Sequence, residues 1–134
     1  MMLNYQDTDY VHWGYAAHYT RAISIIDQSL RDLKELTQQL PFYRDNTYFV
    51  VVPDCGRDTN RLQKTPFQHH FNSRSAHEIW ALIVGPAVGR GGVDRGRVIE
   101  REVQQIDVAR TVAHLMNFKA PEAVGDALYE VLGR

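Results

Sequence analysis

Residues 47–56, TYFVVVPDCG, decide how the rest of the chain is read. An unbroken run of β-branched and aromatic residues, Thr47 to Val52, shows no polar alternation. That pattern predicts a strand buried on both faces, as in a parallel sheet. Pro53 and Asp54 end it. Upstream, MMLNYQ at the start of the chain reads as a short strand. Between the two, Tyr19, Ala22, Ile23, Ile26, Leu30, Leu33, Leu36 and Leu40 recur at three and four residues, predicting an amphipathic helix over 15–40. Arg21, Asp27, Arg31, Asp32, Lys34 and Glu35 supply its solvent face, and Pro41 stops it. Strand, helix, strand implies a right-handed βαβ unit.

Downstream, EIWALIVG (78–85) predicts a second buried strand and VIEREV (98–103) a short edge strand. Ile106, Ala109, Val112, Ala113 and Met116 space a second amphipathic helix. The glycine-rich stretch 85–97 lacks the Gly-Lys-Ser/Thr ending of a P-loop and the spacing of a dinucleotide fingerprint, so it reads as a surface loop. The expected fold is α/β, a small mostly parallel sheet with flanking helices, in a single domain over 1–134.

Bulk properties narrow the function classes. With 15 basic and 16 acidic side chains the net charge is −1, so no global field recruits nucleic acid or a membrane surface. One cysteine excludes an intrachain disulfide. No apolar run approaches the roughly 18–20 residues needed to span a bilayer, and the opening residues have neither the basic nor the apolar region of a signal peptide. Taken as complete, the chain would be cytoplasmic. Because MMLNYQ reads as a strand already under way, the chain is also expected to be the back part of a longer one.

Ligand sites in open α/β sheets lie beyond the carboxyl ends of strands. Asp7, Asp9 and His12 follow the first expected strand. Asp54 and Cys55 follow the second, and the loop after them adds Asp58, His69, His70 and His77. Carboxylates with imidazoles suit zinc, manganese or iron, and a thiolate shifts the preference to zinc. Each residue also has a plainer reading. Asp7 can belong to a plain strand-to-helix turn, and Asp9 reads first as the helix cap, although its place three before His12 keeps it a competing ligand. Asp54 can cap a turn, and His69, His70 and His77 can be solvated loop residues. His18 and His114 read as exposed or half-buried helix positions. Cys55 can be a metal ligand, a nucleophile or a small apolar filler. Arg57 and Arg74 are candidates to contact a phosphate or sulfate oxygen, or are ordinary surface cations.

YQDTDYVHWGYAAHYTRAISIIDQSLRDL (5–33) followed by TYFVVVPDCG resembles the C-terminal half of the alkaline phosphatase superfamily. That superfamily includes phosphopentomutases, cofactor-independent phosphoglycerate mutases, nucleotide pyrophosphatases and sulfatases. Asp7 and His12 have the spacing of its phosphopentomutase-like branch, and Asp27, Leu30 and Leu33 match its helix signature. Asp54, Cys55 and Gly56 fall on its Asp-His-Gly position, and QQIDVARTVAHLMNFKAPEAVGDAL (104–128) resembles its closing helix and tail. The resemblance implies a two-metal hydrolase of phosphate or sulfate esters. Asp7, His12 and His70 or His69 would bind one metal, zinc first among the choices, and Asp54 with Cys55 the other. The nucleophile and the first metal-binding Asp of the family have no counterpart here. Inactivity alone and one metal rather than two are therefore expected, with self-association as a homodimer or cover from a missing N-terminal half. The alternative is a non-catalytic α/β module that binds at most one metal and acts through self-association or a partner.

Overall fold

Thr47–Val52 does form a strand at its centre, but its partner runs the other way. The structure, a computed structural model, describes residues 1–13, 15–58, 67–70, 72–86, 88 and 101–132. Its sheet consists of β1 (Phe49–Val51) and β2 (Leu82–Val84), paired antiparallel with Phe49 opposite Val84, Val50 opposite Ile83 and Val51 opposite Leu82. None of the β1 residues is fully buried, and Leu82 of β2 is exposed. MMLNYQ belongs to no strand, so the expected βαβ crossover is absent among the described residues.

These observations correct the expected mostly parallel sheet. They also overturn the resemblance to the alkaline phosphatase superfamily, whose members carry a large parallel-sheet sandwich, and with it the expected phosphate- or sulfate-ester hydrolase. The physical reason is length. Three-residue strands carry one side chain or two on each face, too few for alternation to distinguish a doubly buried run from a half-buried ribbon. The expected edge strand over 98–103 and most of the glycine-rich stretch 85–97 lie outside the described residues, apart from 101–103, which form a bend and coil.

The chain divides into two compact units, Met1–Arg44 with Val52–Ala81, and Asp45–Val51 with Leu82–Arg134. In the first, α1 (Ala16–Gln39) is the long helix that the apolar spacing predicts. Ala22 and Thr37 are buried, and Ile26, Leu30 and Leu33 lie half-buried on the same face. His18 Nδ1 accepts the Tyr15 backbone N–H (3.3 Å) at the entry, and Leu40 turns extended before Pro41 at the exit. The N-terminal segment is held to α1 by the Tyr5 hydroxyl and Ser29 Oγ, 2.8 Å apart. A one-turn helix, α2 (Arg74–His77), interrupts the expected long loop, and Gly56 N–H donates to the Ala76 carbonyl beside it (2.8 Å).

In the second unit, α3 (Asp107–Leu115) is organised by buried polar groups. The Asp107 carboxylate accepts the backbone N–H groups of Gln104 and Asp126, both at 2.9 Å, and these hold its carboxyl below the usual range. Thr111, fully buried, donates to the Asp107 carbonyl (2.7 Å) and accepts Leu128 N–H (3.0 Å). The helix ends with Asn117 in the left-handed region (φ 54°), while Phe118 N–H bonds to Ala113 O and Asn117 N–H to His114 O. Thr111→Val keeps the volume and removes both hydroxyl bonds, leaving Leu128 N–H buried without an acceptor. Its expected cost is about 2 kcal/mol in urea unfolding. No helix among the described residues is long and apolar enough to cross a membrane.

Candidate metal centre

Before α1 the chain makes a 3-10 turn, Asp9–Trp13, opened by Asp9 N–H donating to Gln6 O (2.9 Å). In such a helix the side chains at i and i+3 eclipse, whereas in an α-helix they are offset. Asp9 and His12 have that spacing, and Asp9 Oδ1 lies 3.1 Å from His12 Nε2. Between them Val11, 1% exposed, anchors the turn in the core. The turn itself packs on α1.

The third donor comes from the far side of the loop. His69 packs edge-to-face on His12 with ring centroids 5.0 Å apart. One ligand atom from each of Asp9, His12 and His69 lies within 4.8 Å of the other two. His69 is positioned by its neighbours. Phe67 takes a φ of 66°, uncommon for an aromatic residue, and stacks on Tyr19 of α1 at 5.5 Å. Asp58, 3% exposed, clamps the segment from both sides: its N–H donates to Gln68 O (2.6 Å), and its Oδ2 accepts His70 N–H (3.2 Å).

Asp58 Oδ2 also lies 2.5 Å from His70 Nδ1. An ionised carboxylate only accepts, so Nδ1 is the donor in this contact. The Ser73 hydroxyl, followed by the His70 ring, holds the Asp58 carboxyl down to about 2 from its ordinary 3.8. A carboxyl depressed on folding stabilises the fold above its unfolded value, and that contribution is lost as pH falls from about 3.8 through 2. Acid titration followed by circular dichroism is therefore expected to show an unfolding component in that window. Asp58→Asn should remove this component, leaving the variant less stable than the parent at pH 7.

Arg57 enters the same cluster. Its Nη1 is 2.6 Å from His12 Nε2, and its Nη2 donates to Asp9 Oδ1 (3.3 Å) and to Thr8 O (3.3 Å). Nη1 also reaches Phe67 O at 3.4 Å. The side chain is 12% exposed, so these acceptors replace most of its hydration.

The remaining sequence candidates lie elsewhere. Asp7 is half-buried and is not one of the three clustered donors. Asp54 Oδ1 accepts the N–H of Cys55 (2.8 Å). Burial, followed by the Asp54 carboxylate, pushes the Cys55 thiol up, so the sulfur is a neutral SH at pH 7. His70 faces Asp58. Arg74 is exposed on α2 and pairs with Glu78 at 2.6 Å. Among the described residues, Asp9, His12 and His69 form the one group of three such donors. The carboxylate of the cluster is Asp9 and not Asp7. The sequence reads Asp9 first as a helix cap, because an acidic residue before a helix is also what a cap looks like. The signal was its Asp-x-x-His spacing, which becomes informative once the segment is known to be a 3-10 turn.

Fold and site together define a small α/β protein whose Asp9, His12 and His69 could chelate one divalent metal ion. No family model, curated protein or solved structure matches the chain.

Proposed function

We propose that this chain is a metal-binding α/β module that takes one zinc ion at Asp9, His12 and His69, and that the ion joins the 3-10 turn to the 67–70 segment. The observation that carries the reading is the convergence of two imidazoles and a carboxylate from segments far apart in sequence. Two nitrogens and one oxygen suit zinc, with manganese and iron as the competing ions, and three protein ligands leave an open position. A second observation favours a structural consequence. Among the described residues of this unit the fully buried apolar side chains are small, Val11, Ala22 and Ala76. A unit with so thin a core gains proportionately more from a cross-link, since binding to the folded state alone adds directly to stability.

Equilibrium dialysis followed by elemental analysis tests this. The parent is expected to retain one zinc per chain and to melt at a higher temperature with it. The Asp9→Ala/His69→Ala double variant is expected to retain none. A parent that holds no zinc, manganese or iron after dialysis against each would end the reading. Equal retention by the double variant would place the ion elsewhere.

A further inference from the structure

We infer that Arg57 is a resident cation in the metal seat, so that metal entry and departure of the Arg57 guanidinium are a single exchange. The inference rests on the metal reading above and goes beyond it by naming the group that sets the affinity.

The argument begins at His12 Nε2. A neutral imidazole nitrogen has one lone pair, which can accept one hydrogen bond or bind one metal ion. The nitrogen that faces Asp9, at 3.1 Å, is the same one that Arg57 Nη1 approaches at 2.6 Å. Because a guanidinium has donors and no acceptor, Nε2 is the acceptor in that contact. Arg57 Nη2 meanwhile takes Asp9 Oδ1. The two clustered ligands from the 3-10 turn are therefore both engaged by one side chain. A metal at ordinary zinc distances, about 2.0–2.2 Å from each, would need the lone pair that Arg57 holds. It would also stand within a few ångströms of a fixed positive charge in a poorly hydrated site.

What Arg57 does in the metal-free protein follows from its other bonds. Through Thr8 O and Phe67 O it ties the turn carrying Asp9 and His12 to the segment carrying His69. The cation thus keeps the ligands assembled while it blocks them. When displaced, the guanidinium has a cleft to turn into. Arg57 lines a cleft of about 380 Å³ together with Asp58 and Glu78. The consequence is a site whose metal affinity is lowered by its own neighbour, while its ligand geometry is retained.

The test is a zinc titration by competition with a chromophoric chelator, on the parent and on Arg57→Gln. Arg57→Gln is expected to bind zinc roughly 10- to 100-fold more tightly, the equivalent of one charge-assisted hydrogen bond removed from the competing state. Tighter binding in the variant than in a parent that still takes up one zinc would support the exchange. Parent and variant of equal affinity, or a weaker variant, would overturn the exchange and leave the metal site standing. Failure of both to bind would overturn both readings. Should Arg57→Gln not fold, the parent alone decides. Its Arg57 side-chain Nε–H NMR signal is expected to shift in proportion to zinc added, up to one equivalent. An unchanged signal at saturating zinc would overturn the exchange.

Discussion

His12→Ala is expected to lower zinc affinity by about 100- to 1,000-fold, the share of one ligand in a site worth about 10–16 kcal/mol over four ligands. His12 has this weight because it sits at the centre of the geometry. Its ring is 3.1 Å from Asp9, in edge contact with His69, and the nearest acceptor to Arg57. Asp7→Ala, on the same segment and outside the cluster, is expected to leave affinity unchanged. Isothermal titration calorimetry on both variants separates the clustered His12 from its unclustered neighbour Asp7. Equal losses in both would mean that the turn as a whole, rather than the eclipsed Asp9–His12 pair, governs binding.

The second large effect concerns Gly56, which no metal contacts. Its backbone N–H bonds to Ala76 O, and the residue is pressed so closely on α2 that an added Cβ would collide with Ser75 O and lie 2.8 Å from Glu78 O. Both are backbone atoms, so relief requires moving the chain rather than a rotamer. Gly56→Ala is expected to cost about 3 kcal/mol or more, at the upper end of overpacking effects. The shift would pass directly to Arg57 and Asp58, which follow in sequence and hold the cluster. Urea unfolding would read the loss. A variant within about 0.5 kcal/mol of the parent would contradict the close approach, since that is the range of neutral surface substitutions.

The glycine in TYFVVVPDCG therefore has a packing reason that is independent of any Asp-His-Gly motif. The same holds for much of what the sequence suggested. Helix periods were legible: Tyr19 to Leu40 and Ile106 to Met116 mark α1 and α3 because a repeat of 3.6 over many residues has few alternative explanations. Both strands of the sheet were also found. Their direction was not, because it rested on the unalternating run 47–52, whose strand is only three residues long, and on MMLNYQ, which finds no strand partner. Once MMLNYQ is removed as a strand, the parallel order and the family built on it have no support. At the site, His12 and His69 were visible as residue types in strand-end loops. Asp58, which orients His70 and the backbone on either side of His69, looked like one more loop acid. Clamping of that kind depends on burial, and a loop sequence carries no periodicity from which burial can be read.

The most direct test of the central claim is zinc K-edge X-ray absorption on the parent loaded with one equivalent of zinc. The account predicts a first shell of nitrogen and oxygen only, near 2.0–2.1 Å, with the outer-shell scattering of two imidazoles. That outer-shell signal should fall by half in His69→Ala. A zinc–sulfur distance near 2.3 Å would contradict it, because it would place the ion on Cys55 and leave the Asp9, His12 and His69 cluster without its metal.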